Sequence, residues 1–170
     1  GVCAAAGHSV VSVYPRVRVA ILTTGAELVD VSAVPGPGQI RDANAHSLRA
    51  QVRAIGGEPV VFPRVADTRE AVRTAMAQAL AQADVVLTNG GVSVGDYDFV
   101  KEVLEHLGAQ LVFWRVKQKP GKPMAFWTLG SKYVVGLPGN PVSCMVCTEE
   151  YVRPMVRRMM GFPLLYRPVR

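Results

Sequence analysis

The 170-residue chain lacks the features of membrane, secreted and disulfide-rich proteins. No apolar run reaches the ~18 residues that a membrane-spanning helix needs. No charged segment precedes the apolar N-terminal stretch, as it would in a signal peptide. Only three cysteines are present, without the even count and regular spacing of a disulfide framework. We therefore expect a cytoplasmic protein that has no membrane partner.

Acidic residues are missing from one long stretch of an otherwise ordinary globular composition. Hydrophobic residues make up 49% and charged residues 19% of the chain, and the formal net charge is +6. No Asp or Glu lies between Glu105 and Glu149, whereas four cations fall within residues 115–122. This cluster indicates a local anion pocket. We expect no nucleic-acid partner, because no basic helical stripe and no interleaved aromatic residues accompany the cations.

Several common functional motifs are also absent. No G-x-x-x-x-G-K-[ST] occurs, which excludes a P-loop, and no G-x-G-x-x-G follows the first apolar run. Cys144 and Cys147 form a single C-x-x-C, with no second pair to complete a zinc site. Because this pair lies about one turn inside its predicted helix rather than at the cap, we expect two reduced, buried thiols that pack as small apolar residues.

Apolar runs and helical patterns alternate along residues 15–161. The predicted strands are residues 17–22, 59–65, 84–87 and 110–116, followed by a hairpin that turns at Gly130-Ser131. Strands that alternate with helices through short connections are typical of parallel sheets. The sequence therefore predicts an α/β fold, namely a three-layer α/β/α domain with a mostly parallel sheet and a β-hairpin at one side.

Polar residues with capping ability mark the helix starts. Asn44 and Asn140 are predicted to cap two helices, and residues 67–70 have the spacing of a capping box, with Asp67 as the cap. Pro154 predicts a kink in the last helix, and Gly161 predicts its end.

The carboxyl ends of the predicted strands are where ligands bind in open α/β sheets. These ends carry acids, lysines and glycine-rich turns, in residues 23–27, 66–67, 89–98, 117–123 and 137–143. Glycine-rich loops that immediately precede helices can bind an oxyanion, because glycine lets backbone N–H groups approach it and a helix N-terminus favours negative charge. Carboxylates would repel that anion unless a divalent cation bridged them, and hard oxygen ligands favour Mg²⁺.

Each acid also has a purely structural interpretation. Asp67 is accounted for as a helix cap, and one of Asp96 and Asp98 must cap the helix that follows them. Glu27 is accounted for as a solvated loop acid. The gathering of these residues at one sheet edge favours a shared site, but the residues alone leave the role of each acid open.

Five motifs, in this order and spacing, resemble those of a known family: TGAEL, GQIRDAN, GGVSVGDYD, KPGKPMAF and LPGNPVS. They are similar to the molybdopterin-binding domain of the molybdopterin molybdenumtransferases, which are relatives of the gephyrin E domain and of the plant cofactor-biosynthesis protein. The resemblance covers about residues 15–160. It implies binding of adenylylated molybdopterin and insertion of molybdate, with Mg²⁺-dependent cleavage of the adenylate and release of AMP. It also implies a homo-oligomer, which is a dimer in full-length relatives.

The resemblance implies roles for individual residues. Glu27, Asp67 and Asp98 match the acidic positions implicated in metal binding and in adenylate cleavage. Substrate contacts are implied for Thr24, Gly25, Gly90, Gly91, Ser93, Gly95, Asp96, Arg115, Lys119, Gly121, Lys122, Pro123, Pro138, Gly139, Asn140 and Ser143. Within that set, Ser93, Lys119, Lys122 and Ser143 match positions that hold molybdate or the dithiolene end of the pterin. Arg115 stands where relatives often have Lys. The positive charge is kept, but the compact ammonium group of Lys is replaced by the planar, forked guanidinium of Arg.

Relatives are longer than this chain, with dimerising N-terminal domains and a C-terminal β-rich domain. The resemblance thus implies that residues 1–14 are a stub of a preceding domain or linker, and that residues 162–170 lead to a missing C-terminal domain. Two other functions remain open, a pterin-binding or scaffold module without catalysis and a nucleotide pyrophosphatase of the same fold. The three matched acids favour metal chemistry over capture, and LPGNPVS with KPGKP favours the transferase over the pyrophosphatase.

Overall fold

Helices and strands alternate along the part of the chain that the computed structural model describes, residues 1–90 and 99–166. In chain order they are α1 (Val2–Ala5), β1 (Arg18–Thr23), β2 (Leu28–Val29), β3 (Ile40–Arg41), α2 (Asn44–Ile55), β4 (Glu58–Val61), α3 (Arg69–Gln82), β5 (Val85–Asn89), α4 (Phe99–His106), β6 (Gln110–Trp114), β7 (Ala125–Leu129), β8 (Lys132–Leu137), α5 (Pro141–Cys147), a π-helical turn (Thr148–Val152) and α6 (Arg153–Met159). Within the described ranges, no helix has both the length and the hydropathy of a membrane span.

The strands form a six-stranded sheet in the order β4-β1-β5-β8-β7-β6 and a separate ribbon of β2 and β3. β4, β1, β5 and β8 pair in parallel. β7 is antiparallel to both of its neighbours, β8 and β6. The hairpin turns through Gly130-Ser131, and Gly130 adopts a φ of 57° there. The predicted mostly parallel sheet with a hairpin on one side is confirmed.

Helices cover both faces of the sheet, which gives the predicted three layers. Along β1, Val19 and Ile21 pack toward α2, α5 and α6, whereas Ala20 and Leu22 pack toward α3 and α4. All four side chains are buried. A strand buried on both faces has no polar alternation, which explains why β1 reads as a continuous apolar run.

Two strands are shorter than the apolar runs that predict them. β4 ends at Val61, and the pairing with β1 loses its regular two-residue spacing after Phe62. The N–H of Phe62 donates to the carbonyl of Ile21, but the next donor, to the carbonyl of Thr23, is Val65 three residues later. β6 ends at Trp114 because Arg115 turns the chain with a φ of 70°. β6 runs in the direction of the parallel strands, but it pairs with the antiparallel β7 rather than with one of them.

The predicted cap of α3 is wrong. Thr68, not Asp67, is the N-cap, and its Oγ1 accepts a hydrogen bond from the N–H of Ala71 at 3.3 Å. Thr68 has extended backbone angles, φ −131° and ψ 146°, which place its side chain over the first turn. Asp67 lies one residue too early, so its carboxylate is not used as the cap of α3.

The last helical segment departs from α-helical geometry directly before Pro154, where the sequence predicts a kink. The π-helical turn separates α5 from α6, and Pro154 lies in the first turn of α6. Proline lacks the N–H that would continue an α-helical ladder, so the preceding turn is wider.

Cys144 and Cys147 are buried on α5 as free thiols, which confirms the sequence prediction. Burial raises the pKa of the Cys144 thiol to about 12 and that of the Cys147 thiol to about 11. Cys3, in contrast, is exposed.

We expect only Cys3 to react with a disulfide reagent such as DTNB in the native protein at about pH 8. The thiolate is the reacting species, and a raised pKa keeps the two buried thiols protonated at that pH. The thionitrobenzoate released should correspond to one thiol per chain in buffer and to three in guanidinium chloride. Native labelling of Cys144 or Cys147 at the rate of Cys3 would contradict this assignment.

Candidate functional site

The carboxyl ends of the parallel strands lie side by side at one edge of the sheet. Thr24 forms a β-bridge with Val65, which lies just beyond the end of β4. The N–H of Thr24 donates to the carbonyl of Asn89, at the end of β5, at 3.0 Å. Asn89 is in register with Leu137 at the end of β8. The loops that follow four different strands are therefore contiguous, as the sequence predicts.

A cleft of about 330 Å³ opens at this edge, bounded by the ends of β1 and β5, the ribbon of β2 and β3, and the starts of α2 and α5. Its lining residues are Thr24, Glu27, Leu28, Ile40, Arg41, Asp42, Ala43, Asn44, Asn89, Gly90, Gly139, Asn140 and Pro141. Five of the predicted site residues belong to this lining, namely Thr24, Glu27, Gly90, Gly139 and Asn140.

Gly90 allows the end of β5 to approach the end of β1 closely. Its φ is 93°, and a Cβ at this position would lie 2.2 Å from the carbonyl oxygen of Thr24. Both the backbone conformation and the space therefore require glycine. The first glycine of the NGG motif determines the width of the cleft at its floor.

Two buried amides connect the walls of the cleft. The Nδ2 of Asn44 donates to Oδ1 of Asn89 at 2.7 Å and to the carbonyl of Gly139 at 2.8 Å. The Nδ2 of Asn89 donates to the carbonyl of Pro138 at 2.6 Å. Asn44 and Asn89 are 8% and 3% exposed, so these hydrogen bonds are shielded from water. The amide pair fixes the LPGNP loop against the ends of α2 and β5.

The prediction that Asn44 caps α2 is wrong. Oδ1 of Asp42 accepts a hydrogen bond from the N–H of Ala45 at 3.0 Å and performs the capping role. Oδ2 of Asp42 accepts a second one from the hydroxyl of Thr23 at 2.6 Å. Asn44 is instead turned into the cleft wall, because its amide has carbonyl partners there that a cap position does not offer.

The LPGNPVS loop begins α5 as predicted. Oδ1 of Asn140 accepts hydrogen bonds from the N–H of Ser143 at 3.1 Å and from its hydroxyl at 3.3 Å. Pro141 occupies the first turn of the helix. Ser143 and Pro138 are buried beneath the loop, outside the lining of the cleft.

The acids predicted to bind metal lie at neighbouring strand ends. Glu27 is exposed in the cleft and folds over Gly25, where a Cβ would lie 2.7 Å from Oε2 of Glu27. Asp67 is exposed two residues after Val65 and does not line the cleft. Within the described ranges, neither carboxylate forms a salt bridge. The residues described there contain no group of three metal-ligating side chains.

Five further predicted site residues lie outside the described residues. They are Gly91, Ser93, Gly95, Asp96 and Asp98.

The predicted cations lie on the loop between β6 and β7, at the same edge but outside the lining of the cleft. Arg115, Lys119 and Lys122 are exposed. The Arg115 guanidinium lies 5.8 Å from the ring centroid of Trp114. Gly121 is buried in this loop, and Pro123 is half-buried.

Residues 20–158 match the family model described as "Probable molybdopterin binding domain". The chain belongs to this family. The molybdopterin molybdenumtransferase of Nostoc sp. is 42% identical over 162 residues, which are 94% of this chain and 37% of that protein. The enzyme of the same name from Haemophilus influenzae is 39% identical over 93% of this chain and 39% of its own length. This domain thus spans about two fifths of the length of the curated relatives it matches.

A solved structure agrees with this assignment. The molybdopterin biosynthesis moea protein from Pyrococcus horikosii superposes with a TM-score of 0.81 at 31% identity, covering 94% of this chain and 39% of that chain. The similarity includes both the sheet and the helices that carry the cleft.

The predicted acids and the predicted cations of the molybdopterin-binding domain lie at different positions along this edge of the sheet. Glu27 and Asp67 follow β1 and the line of β4, whereas Arg115, Lys119 and Lys122 lie between β6 and β7. Arg41 is also exposed and lines the cleft near Glu27, where its Nε donates to the carbonyls of Val31 and Ala33. Three strand spacings separate β1 from β7, which corresponds to about 15 Å. The uncharged amide pair and the LPGNP loop lie between these two groups.

Proposed function

We propose that this domain binds adenylylated molybdopterin along its ligand edge and supports Mg²⁺-dependent release of AMP with insertion of molybdate. The observation that carries the proposal is the separation of Glu27 and Asp67 from Lys119 and Lys122 along one edge. A ligand with a phosphate-bridged nucleotide at one end and an oxyanion-accepting dithiolene at the other requires opposite charges at different positions. Family membership supports the pterin as the ligand, and the curated relatives bear the name of the transferase.

The cleft offers both polar and apolar surface to a pterin ring. Asn44 and Asn140 contribute to its polar side, and Leu28 and Ile40 add apolar surface on the ribbon side. The hydrogen bonds of the Asn44 and Asn89 amides keep this wall in place before the ligand binds.

The exposed acids fit the chemistry of a magnesium site. Mg²⁺ is usually held by one or two carboxylates together with waters and substrate phosphate oxygens. Glu27 and Asp67 are hard oxygen donors at adjacent strand ends, and Asp98 joins them by the family resemblance. When bound, Mg²⁺ would neutralise charge on the phosphates of the adenylate. The two carboxylates would orient that end of the substrate.

The cations fit the opposite end of the ligand. Lys119 and Lys122 would donate charge-assisted hydrogen bonds to molybdate, and the Arg115 guanidinium would donate from the end of β6. Exposed ammonium groups attract the oxyanion but do not position it unless the backbone that bears them is held in place. Loop geometry is therefore as important as charge at this end.

A capture function without catalysis is the second candidate. The wall of the cleft is formed by the uncharged amide pair and the LPGNP loop, and binding of a ligand to this wall requires no metal. The proposed transferase chemistry depends on Asp98 to complete the set of acids.

The two candidates differ in whether AMP is released. We expect the chain, incubated with adenylylated molybdopterin, MgCl₂ and molybdate, to release AMP at a rate that falls to background when EDTA replaces MgCl₂. AMP is followed by ion-exchange chromatography, and bound pterin by its fluorescence. Pterin binding without AMP release would support the capture function. Failure to bind the pterin would contradict both functions.

A further inference from the structure

The loop between β6 and β7 carries the exposed lysines, and its base is closed by backbone hydrogen bonds. The N–H of Arg115 donates to the carbonyl of Met124 at 2.7 Å, and the N–H of Val116 donates to the carbonyl of Lys122 at 3.0 Å. Residues 117–123, here named the lysine loop, project beyond this closure. The backbone pairing at the base does not fix the tip of the lysine loop.

One side chain joins the tip of the lysine loop to the last helical segment. Nε2 of Gln118 donates to the carbonyl of Pro120 at 2.8 Å, within the loop. Oε1 of the same amide accepts a hydrogen bond from the hydroxyl of Tyr151 at 2.5 Å. Both polar groups of Gln118 are therefore used, one to shape the loop and the other to hold it against the π-helical turn.

The backbone of the lysine loop also packs directly on α5. Gly121 is buried with a φ of 106°, and a Cβ there would lie 2.5 Å from Sγ of Cys147. The Cys147 thiol donates to the carbonyl of Gly121 at 3.7 Å, a weak hydrogen bond involving sulfur. This close packing fixes the distance between the backbone of the lysine loop and α5.

The π-helical turn accounts for the reach of Tyr151. Inserting a residue into a helix rotates the side chains that follow it, and such turns occur frequently at functional sites. Tyr151 lies within the π-helical turn, one turn beyond Cys147. The same interruption that follows from Pro154 thus brings the Tyr151 hydroxyl to the lysine loop.

We propose that Gln118 and Tyr151 are positioning residues that hold the lysine loop and so determine where Lys119 and Lys122 present their amino groups to a tetrahedral oxyanion. Lysine is a point charge on a flexible four-carbon stem, so a fixed backbone is needed to make two of them converge. Neither Gln118 nor Tyr151 needs to touch the oxyanion. The effect on the oxyanion rests on the proposed function, whereas the fixing of the loop does not.

The lysine loop has a convenient proteolytic probe. Lys119 and Lys122 are each followed by proline, which blocks trypsin, so the bond after Lys117 is the tryptic site of the loop. Tyr151→Phe removes the hydroxyl and keeps the ring. Tyr133→Phe is the matched control, since Tyr133 stacks on Phe126 on the same face of the sheet. Its hydroxyl makes no hydrogen bond within the described ranges.

We expect Tyr151→Phe to raise the rate of cleavage after Lys117 about threefold to tenfold, the size expected for the loss of one hydrogen bond. Gln118→Leu is tested by molybdate affinity rather than by cleavage, because residue 118 directly follows the cleaved bond and its identity affects the trypsin rate. Cleavage after Arg73 in α3 should stay unchanged in Tyr151→Phe, as should both rates in Tyr133→Phe. Mass spectrometry of the early fragments measures both sites in one digest.

The affinity for molybdate, measured by isothermal titration calorimetry, tests the link to the oxyanion. We expect Tyr151→Phe to weaken it about threefold to tenfold, and Lys122→Ala to weaken it about tenfold to a hundredfold through loss of a charge-assisted contact. If Lys122→Ala weakens molybdate binding and Tyr151→Phe does not, the positioning role is wrong.

The remaining outcomes separate the proposal from the proposed function. Equal cleavage after Lys117 in the wild-type chain and in Tyr151→Phe would overturn the fixing of the loop. A parallel rise after Lys117 and after Arg73 would also overturn it, because the variant would then loosen the whole domain. Absence of molybdate binding in the wild-type chain would overturn the oxyanion site, while the cleavage rates would still decide whether Tyr151 holds the loop.

Discussion

Replacing Glu27 by Gln should lower the rate of AMP release on the order of a thousandfold, while pterin affinity changes by no more than about threefold. A metal-bound phosphate gains several kcal/mol of charge stabilisation, and each 1.36 kcal/mol corresponds to a factor of about ten in rate. The carboxamide keeps the size of the side chain and loses the charge that Mg²⁺ requires. Glu27 lines the cleft and is exposed to a ligand there, so the change is not expected to disturb the core.

Glu58→Gln is the matched control for that measurement. Glu58 is also an exposed glutamate, but it lies at the start of β4, at the opposite edge of the sheet. Its replacement should leave AMP release unchanged. If Glu27→Gln behaves like Glu58→Gln, Glu27 is a solvated loop acid. Raising the MgCl₂ concentration should partly restore the rate of Glu27→Gln, because a weakened metal site is filled by mass action.

Replacing Gly90 by Ala should lower the free energy of unfolding by about 3 kcal/mol, as the sum of a conformational cost and a steric cost. A left-handed backbone costs a residue with a Cβ about 1 kcal/mol, and forcing an extra carbon into a packed site costs about 1–3 kcal/mol. The steric cost falls on backbone, since the new Cβ would lie 2.2 Å from the carbonyl oxygen of Thr24. Urea unfolding followed by tryptophan fluorescence measures the change.

Gly108→Ala separates the two costs. Gly108 has a φ of 81°, close to that of Gly90, and no atom lies within 4 Å of the position of its Cβ. This variant should lose only about 1 kcal/mol, the conformational cost. Equal losses in the two variants would mean that Thr24 moves aside without cost and that the cleft floor is not tightly packed. Pterin affinity should fall in Gly90→Ala and remain unchanged in Gly108→Ala.

Local rules were sufficient for most of the fold. The apolar runs of β1 and β5 and the Gly130-Ser131 turn are determined by residues close in sequence, so periodicity and turn chemistry locate them. The ribbon of β2 and β3 was not predicted. Each of its strands has only two residues, and it pairs across a Gly/Pro loop, so its sequence carries no alternation to detect.

The cleft was predictable as a region but not as a set of contacts. Strand ends indicated the edge at which the cleft opens, because the carboxyl ends of parallel strands meet there. The amide pair of Asn44 and Asn89 depends on residues 45 positions apart, and no local pattern distinguishes it from a helix cap. Asn89 could nevertheless have indicated such a contact. It follows a buried apolar run, and a buried amide needs hydrogen-bond partners that are themselves buried.

The position of β8 has a consequence for synthesis of the chain on the ribosome. β8 is the last strand of the sheet to be made, yet it lies at the centre, between β5 and β7. Roughly 45 residues separate the end of β5 from β8, which corresponds to about 2–9 s of translation at 5–20 residues per second. During that interval the edge of β5 that faces away from β1 has no strand beside it, and an unpaired edge is a template for aggregation. The nascent chain is therefore most vulnerable just before the hairpin emerges, and protection by a chaperone matters most at that stage.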